Sequence, residues 1–117
     1  MVAQNSSNRI GEKNYVTIKL ETVVVGYLFD AQVTLEGQET QLAYDGDKTR
    51  RSTDIIELND NELEIAFHGV GVAGTEWQLT ITQLEPTERT LYEREGAIKS
   101  TGHSLILDSV VLEEEVL

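Results

Sequence analysis

Between Glu62 and Thr82 the chain reads ELEIAFHGVGVAGTEWQLTIT, two alternating runs about a glycine-rich joint. Leu63, Ile65 and Phe67 share one parity of the first run. Trp77, Leu79 and Ile81 share one parity of the second. Glu62, Glu64, Gln78, Thr80 and Thr82 take the opposite parity. Successive side chains of a strand point to opposite faces, so this period of two predicts a pair of half-buried strands. The only Trp of the chain lies here, and the core is expected to form around it.

The same pattern recurs along the chain. Tyr15 to Glu21 alternates, with Val16, Ile18 and Leu20 inward. Asp30 to Glu36 sets Ala31, Val33 and Leu35 on one side. Thr40 to Tyr44 reads as a short strand, and Thr53 to Leu58 as a longer one with Ile56 and Leu58 inward. Thr90 to Ala97 carries Arg89, Glu93, Arg94 and Glu95 around Leu91 and Tyr92, the charge pattern of an edge strand. A last strand runs from His103 through Leu112. In it Leu105 and Leu107 have one parity and Val110 and Leu112 the other, so a bulge near Asp108-Ser109 is expected to turn all four inward. Glu85-Pro86 ends the Trp strand, because proline cannot donate to a ladder.

Seven to nine short strands, with turn signals between them and no helical period, predict an all-β fold. An antiparallel β-sandwich, immunoglobulin-like or jelly-roll, is the first expectation and a closed β-barrel the second. The 117 residues make one domain over residues 14–117, preceded by a flexible arm over residues 1–13.

Composition narrows the function classes. There is no Cys, which excludes disulfides and thiolate metal sites. With 21 acidic and 9 basic residues the formal net charge is −12, a surface that repels nucleic-acid backbones. No apolar run reaches the length of a membrane helix. The N-terminal stretch lacks the apolar core of a secretory signal, so a cytoplasmic location is the default, although a processed secreted chain would look the same. Lys48, Arg50 and Arg51 form the only basic cluster and read as a loop.

Val23-Val24-Val25-Gly26-Tyr27-Leu28-Phe29 is the most apolar segment and breaks the alternation. It reads either as a strand buried on both faces or as an exposed apolar segment serving an interface. On the second reading Val23, Val24, Val25, Tyr27 and Phe29 are the contact residues of a homo-oligomer.

Three constellations bear on chemistry. Gly69-Val70-Gly71-Val72-Ala73-Gly74 matches G-x-G-x-x-G, yet it joins two strands, whereas dinucleotide binding needs a strand followed by a helix. It therefore reads as a joint. His68 and His103, the only imidazoles, would meet if their strands were neighbours, and could then bind zinc or exchange a proton. Asp108 or a glutamate would have to supply a third ligand. Asp45-Gly46-Asp47 and Asn59-Asp60-Asn61 are oxygen-rich turns that could share calcium if both lay at one end of a sandwich, although Asx residues are also what ordinary turns prefer. No serine elbow, thiol or carboxylate pair marks a catalytic cleft.

The expectation from sequence is a non-enzymatic binding or assembly module that acts through loops or an edge strand and self-associates. The alternatives are a carbohydrate- or calcium-binding sandwich, with tyrosines as stacking platforms, and a small metal-dependent enzyme using His68 and His103.

Overall fold

The computed structural model describes residues 16–112. The expected arm over residues 1–13 and the acidic C-terminal run lie outside the described residues. Nine strands are described: β1 Val16–Val25, β2 Asp30–Leu35, β3 Gln38–Glu39, β4 Ala43–Tyr44, β5 Thr49–Leu58, β6 Glu62–Val70, β7 Glu76–Glu85, β8 Arg89–Ala97 and β9 His103–Val111. They form two antiparallel sheets, ordered β4-β5-β1-β7-β8 and β3-β2-β6-β9. The sheets pack face to face as a β-sandwich and do not close into a barrel.

The core is the sum of the inward parities. Ile18, Leu20 and Val24 of β1, Ile56 and Leu58 of β5, and Trp77, Leu79 and Ile81 of β7 line one sheet. Ala31, Val33 and Leu35 of β2 and Leu63, Ile65 and Phe67 of β6 line the other. Each buried aliphatic or aromatic side chain contributes about 1.5–3 kcal/mol relative to exposure, so the alternating runs supply the main driving force for this pairing of faces. Trp77 and Phe67 meet across the gap, with ring centroids 4.5 Å apart and planes tilted by 42°.

Glycines make room for this pair. A Cβ on Gly96, opposite Trp77 in the β7–β8 ladder, would stand 2.7 Å from Trp77 Cζ2. One on Gly69 would stand 2.9 Å from Phe67 Cζ. These glycines are small because large rings lie over them.

The apolar segment beginning at Val23 resolves into two parts. Val23-Val24-Val25 ends β1, the central strand of the five-stranded sheet, and it alternates after all. Val24 is fully buried, and Val23 and Val25 are half-buried on the outer face. The backbone then turns at Gly26, where a Cβ would meet Glu76 O at 2.9 Å. Beyond it Leu28 is buried while Tyr27 and Phe29 are exposed.

Three further expectations are corrected. The short strand expected over Thr40 to Tyr44 is not one element: the chain leaves the four-stranded sheet after β3 and joins the other only at Ala43–Tyr44, as β4. Arg50 and Arg51 belong to β5 and not to a loop. Arg50 is buried, with Nη2 donating to Leu28 O at 3.0 Å and to the Tyr44 hydroxyl, and its guanidinium lies over the Tyr44 ring. Arg51 points outward to Asp45 and Glu21. In β9 there is no bulge: its register against β6 runs unbroken from Glu62↔Val111 to Val70↔His103. The register shifts fall elsewhere, at Leu84 of β7 and Leu91 of β8, where both Leu91 and Tyr92 pack against the core.

Gly96→Ala is expected to destabilise the domain by about 1–3 kcal/mol through overpacking against Trp77. Urea denaturation followed by Trp fluorescence measures this, and an unchanged midpoint would contradict the packing described.

Candidate functional site

An unbroken β9 has a direct consequence. Ser104, Ile106, Val110 and Leu112 face the interior, while Leu105, Leu107 and Val111 face outward and are 68%, 85% and 73% exposed. The missing bulge is explained by Asp108, whose inward parity brings it to the rim where β9 passes β8. There its Oδ2 accepts a 2.9 Å hydrogen bond from the Tyr92 hydroxyl and lies 3.5 Å from Arg94 Nη1. Its Oδ1 accepts from the Ser109 amide. The carboxylate is satisfied at the rim, so the strand has no need to flip it outward, and the leucines take the solvent face instead.

The cause of each ionisation shift at this rim is local. Asp108 is held below the usual carboxylate value by the Ser109 amide, then by the Tyr92 hydrogen bond, with Arg94 adding attraction. Tyr92 is raised, first by burial and then by its bond to Asp108. A lowered carboxyl favours folding above its unfolded value and loses that contribution as pH falls through the folded one. A raised phenol favours folding below its unfolded value and loses that contribution as pH rises through the folded one.

The outer face of the four-stranded sheet surrounds the exposed leucines. Ala66 is paired with Leu107, His68 with Leu105 and Glu64 with Ser109. A shallow depression of about 540 Å³ lies over Thr34, Ala66 and Leu107, with Glu62 and Glu64 at its rim. The Ser109 hydroxyl donates to Glu62 at 2.9 Å.

The histidines do meet. β6 and β9 are neighbours, and His68 and His103 stand diagonally on their outer face, each beside the other's cross-strand partner. His68 Nε2 lies 2.9 Å from His103 Nδ1, with ring centroids 5.1 Å apart and planes 20° from parallel. The centroid distance is close to the nitrogen separation plus two ring radii, so the rings meet edge to edge through one N–H···N bond. One nitrogen carries the proton and the other accepts it. Asp108 lies on the opposite parity of β9 and does not join them. Among the described residues no group of three or more His, Asp or Glu is placed to hold a metal.

The oxygen-rich turns do not come together. Asp45 and Asp47 precede β5 and Asp60 follows it, so the ten-residue strand separates them by about 30 Å. Asp45 is bonded to Arg51, and Asp60 accepts the Glu62 amide within its own turn. A calcium ion shared by these turns is not formed. The glycine motif is a β6–β7 joint, as its context indicated. The amides of Gly71 and Gly74 donate to Gly102 O and Ile98 O, so neither is directed at a phosphate.

Of the aromatic candidates, Trp77 is 3% exposed and belongs to the core, Tyr92 is half-buried, Tyr27 and Tyr44 are largely exposed, and Tyr15 lies outside the described residues. Tyr27 lies under Lys48, and Tyr44 under Arg50. No helix among the described residues is long and apolar enough to cross a membrane. Comparison of the chain with protein-family models, curated proteins and solved structures gave no match.

Sequence reasoning missed the Leu105, Leu107 and Val111 face because it assumed that every leucine of an amphipathic strand turns inward. The signal was present: Ser104, Ile106, Val110 and Leu112 form an equally regular inward set without a bulge.

Two outcomes follow. Asp108→Asn is expected to lower the Tyr92 ionisation toward the ordinary tyrosine value of about 10, because the carboxylate that holds the phenol proton is removed; residue-resolved NMR titration measures it. Val24→Lys is expected to abolish cooperative folding by burying a charge, whereas Val23→Lys on the outer face retains a cooperative melt by circular dichroism.

Proposed function

We propose that the protein is a non-enzymatic assembly module that pairs with a second copy of itself along the free edge of β9. The observation that carries this reading is the state of that edge. β9 has nine residues, no Pro, no Lys, no bulge and a single charged side chain, Asp108, which is engaged by Tyr92 and Arg94. The other edges carry the usual protections. β3 and β4 are two residues long, the part of β5 that runs beyond β4 carries Asp54 and Glu57, and β8 carries Arg89, Glu93, Arg94 and Glu95. Long, flat, apolar edges are templates for strand pairing.

Self-pairing suits the sequence of the strand. An antiparallel two-fold through Ile106 sets Leu105 of each copy opposite Leu107 of the other and Asp108 opposite Ser104, away from its counterpart. Two four-stranded sheets then become one of eight strands. Cross-strand apolar pairs contribute about 0.2–1 kcal/mol each, and backbone hydrogen bonds about 0.5–1.5 kcal/mol each. Association costs about 4–15 kcal/mol, so the expected state is a concentration-dependent dimer. Because each copy carries a net charge of −12, added salt is expected to strengthen it by screening.

Light scattering coupled to size exclusion tests this over a concentration series. Wild type is expected to approach twice the chain mass, and Leu107→Lys and Leu105→Lys to remain monomeric with melting little changed, because both sites are exposed. A wild type that stays monomeric at the highest concentrations, or variants with the wild-type mass, would remove β9 as the interface.

A further inference from the structure

His68 and His103 lie 35 positions apart in sequence, yet regular pairing of β6 with β9 brings their ring nitrogens to 2.9 Å on the outer face. Both rings are carried by paired strands and not by a mobile loop, so their Cβ positions are fixed by the ladder. We infer that His68 and His103 form a two-nitrogen binding site for a first-row divalent transition metal, with copper(II) the ion held most tightly.

The donor set makes the selection. Two imidazole nitrogens suit copper, nickel and zinc, whereas calcium and magnesium require a shell of oxygens. Metal–imidazole bonds are about 2.0–2.1 Å long, so two nitrogens at adjacent corners of a tetragonal ion stand roughly 2.9 Å apart, against roughly 3.3–3.4 Å around a tetrahedral ion. The observed 2.9 Å is the length of the N–H···N bond and shows that the two nitrogens lie within reach of one ion. The general order of affinity places copper above nickel and zinc. Binding needs a turn of the exposed His103 ring and of the half-buried His68 ring, so that their lone pairs converge. The proton now shared between them moves to the far nitrogen of the ring that carries it, leaving both imidazoles neutral. Water completes the coordination, and Gln32, cross-strand from His68 on β2, is the nearest neutral polar side chain by register. The site is independent of the β9 edge, because the ion sits on the face of the sheet and not along its side.

The test is copper(II) titration of the full chain by calorimetry, with electron paramagnetic resonance at one equivalent. Wild type is expected to take one ion with two equivalent imidazole nitrogens in its spectrum. His68→Gln and His103→Gln are each expected to lose about tenfold or more in affinity, since even partners outside the ligand shell are worth that much. The double variant defines the background from carboxylates and the N-terminal amine. Zinc is expected to bind more weakly at the same site, and millimolar calcium to leave copper bound. Paramagnetic broadening in wild-type NMR spectra, centred on the two rings, locates the ion without any substitution. A double variant that binds copper with the wild-type affinity and spectrum would overturn the site. So would broadening centred elsewhere, or displacement by calcium.

Discussion

The contact between Trp77 and Phe67 holds the two sheets at their working distance, and much of the molecule is arranged to permit it. The two rings come from different sheets and meet near the loop-rich end of the sandwich. A ring of that size needs space behind it, which Gly96 and Gly69 supply by lacking a Cβ. The glycine-rich joint between β6 and β7 is short, so the chain must cross from one sheet to the other within a few residues. The amides of Gly71 and Gly74 bind this crossing to the turn before β9. The same joint that resembles a phosphate loop in its letters is thus a structural corner, with the amides of Gly71 and Gly74 already used.

The second constraint is how each sheet ends. An edge strand presents unpaired backbone groups, and three of the four edges here are short or heavily charged. β9 differs because its one acid is drawn to the rim between the sheets. Tyr92, opposite the inward-facing Ile81 in the β7–β8 ladder, donates to Asp108, and Arg94 lies beside it. This cross-sheet bridge settles the parity of β9 and leaves Leu105, Leu107 and Val111 on the solvent side. A stabilising bridge therefore creates the most apolar outer face among the described strands, and the proposed assembly surface follows from it. The acidity of the whole chain then tempers association, which suits a reversible pairing.

The histidine pair shows how a sheet brings distant residues together. Pairing of β6 with β9 is dictated by apolar faces that have nothing to do with imidazole chemistry. Yet the register sets two rings diagonally adjacent and within one hydrogen bond. The two acidic turns around β5 show the opposite outcome. Similar residues that look equivalent in sequence are held a strand length apart, and no shared ion can form between them.

Sequence alone determined the strands of the core β1, β2, β6 and β7 with their inward parities, the core position of Trp77, the edge character of β8 and the β-sandwich class. Each of these depends on the period of two and on turn residues, which are local properties of the chain. It also showed that the glycine motif lacked the helix it would need. The parity of β9 depended on a partner for Asp108 that lies on another strand, and the burial of Arg50 on the Leu28 carbonyl and the Tyr44 ring. The meeting of His68 with His103 depended on which strands became neighbours. Those are decisions of strand order and register, made by packing between segments far apart in sequence, and no local pattern carries them.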